Sequence, residues 1–151
     1  MSLEQWSQNG WLRRDETTLA EIQQLFQVVD RDFADAQLAG LSVDGQFQHA
    51  YDAALQLCII PLRVCGYRVT KGQGHHKYSI DSLQFTLGSN WSKLADHIER
   101  CSRLRGQAVY ECIGAVQKED AEDLIELVRQ LRKDVVDWIR KQHTKLLPPG
   151  I

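Results

Sequence analysis

Two stretches of this sequence carry several cations and no acidic residue, which makes them the first candidates for binding an anion. The first, residues 53–80, contains Arg63, Arg68, Lys71, Lys77, His75 and His76. The second, residues 100–110, contains Arg100, Arg103 and Arg105. In a chain of net charge −2, they would focus positive potential on a phosphate-bearing ligand if the fold brings them together. The alternative is that these cations lie at helix ends or in solvent and need no ligand.

The adjacent pair His75-His76 follows the glycine-rich segment Gly72-Gln73-Gly74. Histidine titrates near neutral pH, so the pair could supply a general acid or base. It could equally be part of an ordinary loop, and it could chelate a metal only with a third ligand, which the sequence does not place nearby. The glycines lack the Lys-Ser/Thr ending of a phosphate-binding loop. The other three histidines, His49, His97 and His143, are interpreted as ordinary helix residues.

Two tyrosines stand close to arginines, an arrangement that can hold a nucleotide by stacking and charge. They are Tyr67 and Tyr110, and packing of either ring in the core explains them equally well. Arg103 and Arg105 are two residues apart, so on a helix they point about 200° apart. Arg103 shares a helical face with Tyr110, seven residues later, and we therefore expect Arg103 to line a polar groove.

Composition and cysteine spacing exclude several classes of protein. The four cysteines, at positions 58, 65, 101 and 112, form no closely spaced pair, so we expect free thiols in a reducing compartment and no structural metal. No stretch is apolar for the roughly 20 residues that span a bilayer, and the first residues do not resemble a signal peptide. The sequence thus predicts a cytoplasmic protein without a cofactor.

Apolar residues recur at three- and four-residue intervals in four long segments, which is typical of bundle helices. One runs from Leu19 towards Gly40, with Thr17 or Thr18 as its cap, and the next starts at Ser42 or Asp44 and ends at Gly66. Later helices are expected over residues 78–87, from Ser92, and from Lys118. The prediction is an all-α, up-and-down bundle of about five helices in one domain, with no sheet, a short N-terminal segment 1–14 and a disordered tail from about residue 146.

The order of motifs along the chain resembles the HEPN family of small, nucleotide- and RNA-directed helical domains. The first motif comprises Asp32, Asp35 and Ala36. The second comprises Ala50, Tyr51, Ala53 and Ala54. Gly66-Tyr67-Arg68 follows, then His75-His76, then an arginine-rich helix that leads to Tyr110. The resemblance spans roughly Trp11 to Trp138.

Active members of that family are metal-independent ribonucleases in which an arginine precedes a histidine by four to six residues, often with a tyrosine two positions further on. Aligning on Tyr110 places the arginine at Arg103 and puts Ala108 where the histidine would stand. Starting instead from Arg105 gives a pattern similar to branches that keep arginine and tyrosine without the histidine.

The resemblance therefore implies an RNA- or nucleotide-binding protein of toxin–antitoxin type with degenerate or absent ribonuclease activity. Its expected site comprises Arg103, Arg105, Tyr110, Arg68, His75 and His76. Its expected partners are RNA or a nucleotide, a nucleotidyltransferase or antitoxin protein, and a second copy in a homodimer. Two alternatives stay open: a ribonuclease with a non-standard base, such as His75 or His76, and a protein–protein interaction module without a nucleic-acid ligand.

Overall fold

A computed structural model describes residues 1–70, 74–110 and 113–151, except for the side chains of residues 109 and 110. It is mostly helical, and the predicted helical bundle is confirmed. The helices are α1 (Leu3–Gln8), α2 (Leu19–Ala36), α3 (Val43–Val64), α4 (His75–Asp81), α5 (Leu83–Thr86), α6 (Ser92–Tyr110) and α7 (Lys118–Gln142). Two strands, β1 (Leu12–Arg14) and β2 (Tyr67–Val69), and two short 3-10 turns complete the described chain.

Helix α3 forms the centre of the bundle. Its apolar residues face neighbours on several sides, because α2, α6 and α7 all pack against it. Small residues at 50, 53 and 54 are fully buried and allow these helices to approach closely. Pro61 lies in the last turn of α3 and is buried, and the helix continues through it to Val64. The single large core that results fixes which side chains of α3 meet those of α6.

Helices α2 and α3 begin at the side-chain caps that the sequence indicates. The hydroxyl of Thr18 accepts a hydrogen bond from the backbone N–H of Glu21 at the start of α2, and Ser42 caps α3 through Gly45. Such caps stabilise a helix by about 1 kcal/mol each. The Glu21 carboxylate does not return to the Thr18 backbone to complete a capping box. It is held by Thr17 and by two arginines described below.

The prediction that the protein has no sheet is wrong, because β1 and β2 pair as antiparallel strands with Arg13 opposite Arg68. Strands of three residues are too short to show the alternation by which strands are recognised in a sequence. The ribbon covers a second, smaller core made of Trp6, Leu12, Leu62, Tyr67 and Val69. It therefore ties the N-terminal segment to the end of α3, and it places Arg68 beside the start of α2.

Three further expectations differ from the structure. His75 and His76 are the first residues of α4 rather than part of a loop, and the helix predicted over 78–87 is divided between α4 and α5. The C-terminal residues are not a loose tail, since Leu146, Leu147 and Ile151 pack against the main core. No helix within the described ranges is long and apolar enough to cross a bilayer.

Candidate anion-binding site

Arg68, one of the predicted site residues, belongs to an ion-pair network. Its guanidinium donates to Asp15 at 2.8 Å and to Glu21 at 3.0 Å. The neighbouring Arg63 is only 1% exposed and donates to both Glu21 carboxylate oxygens, each at 3.0 Å. Hydrogen bonds from these arginines hold the pKa values of Asp15 and Glu21 below their usual range. The two carboxylates thus neutralise cations that the sequence suggested were free.

The remaining hydrogen bonds of Arg63 show why it is buried. Its Nη1 donates to the backbone carbonyls of Asp15 and Tyr67 at 2.9 and 3.1 Å. The guanidinium therefore joins the chain before α2 to the start of β2, and a buried charge with this many partners is well satisfied. This network stabilises the fold and does not offer an open anion site.

Arg103 lies on the outer surface of α6. Its side chain is 67% exposed, and Nη1 is 3.8 Å from Glu99 Oε1. Lys77 of α4 reaches the same carboxylate oxygen at 3.1 Å and also contacts Asp81 at 3.3 Å. Arg103 does line a groove of about 540 Å³ between α6 and α7, but Asp120 and Asp123 line that groove as well. Nearby carboxylates thus reduce the positive potential around Arg103.

Arg105 differs from the other predicted arginines because it has no carboxylate partner within the described ranges. Its guanidinium carbon lies 5.3 Å from the centre of the Tyr51 ring, in cation–π geometry. The Nε atom is buried and lacks a hydrogen-bond partner among the described residues. A half-buried, unpaired guanidinium interacts with an anion more strongly than an exposed one, because solvent screens it less. The structure therefore favours Arg105 over Arg103 as the anion-binding residue.

Tyr51 connects Arg105 to His76. The tyrosine is fully buried, and its hydroxyl lies 3.0 Å from Nδ1 of His76. Burial raises the pKa of Tyr51, so its hydroxyl stays neutral. Burial, with help from Arg105 and His75, lowers the pKa of His76 below its usual value, which favours the neutral ring. With Nδ1 held by Tyr51, the Nε2 atom of His76 remains for a ligand.

The two adjacent histidines face different surroundings. Their ring centres are 6.1 Å apart, but His75 is exposed and lines a cavity of about 230 Å³ together with Arg63, Arg68 and Glu21. His76 is half-buried against Tyr51. Five of the six predicted site residues have described side chains. Arg105 and His76 meet at Tyr51, Arg68 and His75 line the separate cavity, and Arg103 lies on the outer surface of α6. The side chain of Tyr110, which ends α6, lies outside the described residues, as does Lys71.

Sequence reasoning missed Tyr51 as a site residue because it fits the apolar stripe of α3. Gln48, three residues before Tyr51, lies on its face of α3 and donates to the neighbouring Asp52 at 3.1 Å, and the Asp52 charge acts on both Tyr51 and His76. A polar residue three positions from an aromatic residue shares its helical face. The spacing of Gln48 and Tyr51 was the available indication that this face is polar at one end.

Comparisons with models of known families, with curated proteins and with solved structures found no match to this chain. The resemblance to HEPN domains therefore stays a prediction.

Proposed function

We propose that the protein binds RNA or a nucleotide through a phosphate group at a site formed by Arg105, His76 and Tyr51. The observation that carries the proposal is the half-buried Arg105 guanidinium without a carboxylate partner in the described chain. His76 is the second donor. When the Tyr51 hydroxyl donates to Nδ1, the Nε2 atom carries the proton and can donate to a phosphate oxygen. The HEPN resemblance adds the expectation that the ligand is RNA in a toxin–antitoxin setting.

The experiment is a titration of a fluorescently labelled single-stranded RNA with the protein, read by fluorescence anisotropy at several salt concentrations. Phosphate binding releases counterions, so the affinity should fall steeply as salt rises from about 50 to 200 mM. A nucleoside monophosphate should compete, and the matching nucleoside should not. Binding that does not depend on salt would reject the proposal and favour the protein–protein interaction module.

His76 should make this binding depend on pH. Its pKa is lowered in the free protein, and its protonated form adds a positive charge beside Arg105. We therefore expect affinity to increase as the pH falls from 7 to about 5, and His76→Gln should remove most of that increase. The matched control is His75→Gln, which should retain it, because His75 lies on the side of the cavity with Arg63. An increase that survives His76→Gln would place the titrating group elsewhere.

A metal-independent ribonuclease is a second candidate function, favoured by the Tyr51–His76 contact. In the other neutral tautomer, Nδ1–H donates to Tyr51 and Nε2 can accept the proton of a ribose 2′-hydroxyl. The 2′-oxygen would attack the adjacent phosphorus while the bond to the 5′-oxygen breaks. The 5′-oxygen would leave with the bonding electron pair and take a proton from solvent, and Arg105 would stabilise the charge that develops on the phosphate. We expect cleavage in the presence of EDTA, loss of cleavage with His76→Gln, and no cleavage of the matching DNA. If RNA stays intact at high protein concentration, the ribonuclease is rejected and RNA binding without cleavage remains the proposed function.

We also propose that the active form is a homodimer and that it works with a nucleotidyltransferase or antitoxin protein. Both ideas rest on the HEPN resemblance. In a two-fold dimer, the same surface of each copy would contribute to the contact, and the open side of Arg105 would then face a partner chain. Sedimentation velocity at micromolar concentration distinguishes the dimer from a monomer.

A further inference from the structure

Three metal-binding side chains converge between α2 and α3, away from the anion-binding site. Asp32 and Asp35 come from α2, and His49 comes from α3. One ligand atom of each lies within 4.8 Å of the corresponding atoms of the other two. The i,i+3 spacing places both carboxylates on one face of α2, and the close packing of α3 against that face brings in the imidazole. His49, expected from the sequence to be an ordinary helix residue, meets these carboxylates only in the folded protein.

Every ligand atom of these three side chains except Oδ1 of Asp32 lacks a hydrogen-bond partner within the described ranges. Asp32 is buried, with its side chain only 9% exposed, and a buried carboxylate is costly without a partner. Its Oδ1 accepts from Arg31, whose side chain is 65% exposed, while Oδ2 has no hydrogen-bond donor within the described ranges. The side chains of Asp35 and His49 have no hydrogen-bond or ion-pair partner within those ranges either. Arg31 is therefore the one cation that pairs with this cluster within the described ranges, and it pairs with Asp32 alone.

We propose that Asp32, Asp35 and His49 bind a divalent transition-metal ion such as Zn²⁺. An imidazole with two carboxylates suits Zn²⁺ and its neighbours better than Mg²⁺ or Ca²⁺, which prefer all-oxygen sites. Ligands around a tetrahedral Zn²⁺ lie about 3.3–3.6 Å apart, given bonds of about 2.0–2.2 Å. The three ligand atoms lie within 4.8 Å of one another, so binding would require them to approach by about 1 Å to reach that spacing. Three protein ligands leave one position for water.

The test is isothermal titration of the full chain, freed of metal by a chelator, with ZnCl₂. We expect one ion per chain, and affinity weakened at least about tenfold by His49→Gln and by Asp35→Asn, because loss of even an outer-shell partner costs that much. Control variants of the same chemistry on α6 are His97→Gln and Asp96→Asn, which should bind like the wild type. MgCl₂ should bind far more weakly.

Unchanged zinc affinity in both ligand variants, or equal losses in the α6 controls, would overturn the proposal. Circular dichroism checks that each variant is folded. A second measurement needs no variant: Co²⁺ added to the wild-type protein should shift or broaden the amide NMR signals of residues around 32–35 and 49 first. Perturbation centred elsewhere would also overturn the site. Because this site does not involve Arg105 or His76, its outcome is independent of RNA binding.

Discussion

Replacing Arg63 with alanine should lower the free energy of unfolding by about 3–5 kcal/mol, the cost of removing one partner from a buried ion pair. Arg63 is 1% exposed, and its removal takes away two of the three arginine hydrogen bonds to the Glu21 carboxylate, leaving the one from Arg68. It also leaves the carbonyls of Asp15 and Tyr67 without their donor. In a chain of this size the loss corresponds to a melting temperature lower by on the order of 10 °C.

Urea denaturation followed by circular dichroism measures this loss. The control is Arg140→Ala, which removes an exposed pair with Asp137 and should change stability by less than about 1 kcal/mol. Acid should weaken the same network in the wild type. The pKa of Glu21 is lowered by its arginine hydrogen bonds, so its stabilising contribution is complete above about pH 4.5 and is lost as the pH falls through the folded-state pKa. Equal stability of the two alanine variants would show that Arg63 does not join the elements as described.

Much of the helical fold could be predicted because its signals are local. Thr18, Ser42 and Lys118 mark helix starts through capping and apolar spacing, which involve residues within one or two turns. The ribbon of β1 and β2 pairs residues more than 50 positions apart, and no local pattern of three residues indicates such a pairing. The same limit explains the C-terminal residues, whose order comes from packing on the core.

The site was harder to predict because its charges are arranged by tertiary contacts. A stretch without acidic residues suggested free cations, but Glu21 and Asp15 reach Arg63 and Arg68 from more than 40 positions away. Arg105 could be named from the sequence, whereas its contact with Tyr51 depends on how α6 crosses α3. The choice between Arg103 and Arg105 therefore could not be made from helical geometry alone.

Replacing Arg105 with alanine should weaken RNA binding by at least about tenfold, while Arg103→Ala should change it by about twofold or less. A charge-assisted hydrogen bond contributes about 1.5–3 kcal/mol, and the partial burial of Arg105 limits screening by solvent. Arg103 is 67% exposed and lies near Glu99, so an RNA phosphate would compete with a carboxylate there. Fluorescence anisotropy at one fixed salt concentration measures both variants.

Two further variants separate charge from packing at Arg105. Arg105→Lys keeps the positive charge without the planar guanidinium that lies over Tyr51, so it should retain part of the affinity. Tyr51→Phe keeps the ring and removes the hydroxyl that holds His76, so it should leave the Arg105 contribution in place and reduce the dependence on pH. If Arg103→Ala weakens binding as much as Arg105→Ala, RNA contacts the outer surface of α6 broadly. The localised site between α3, α4 and α6 would then be wrong.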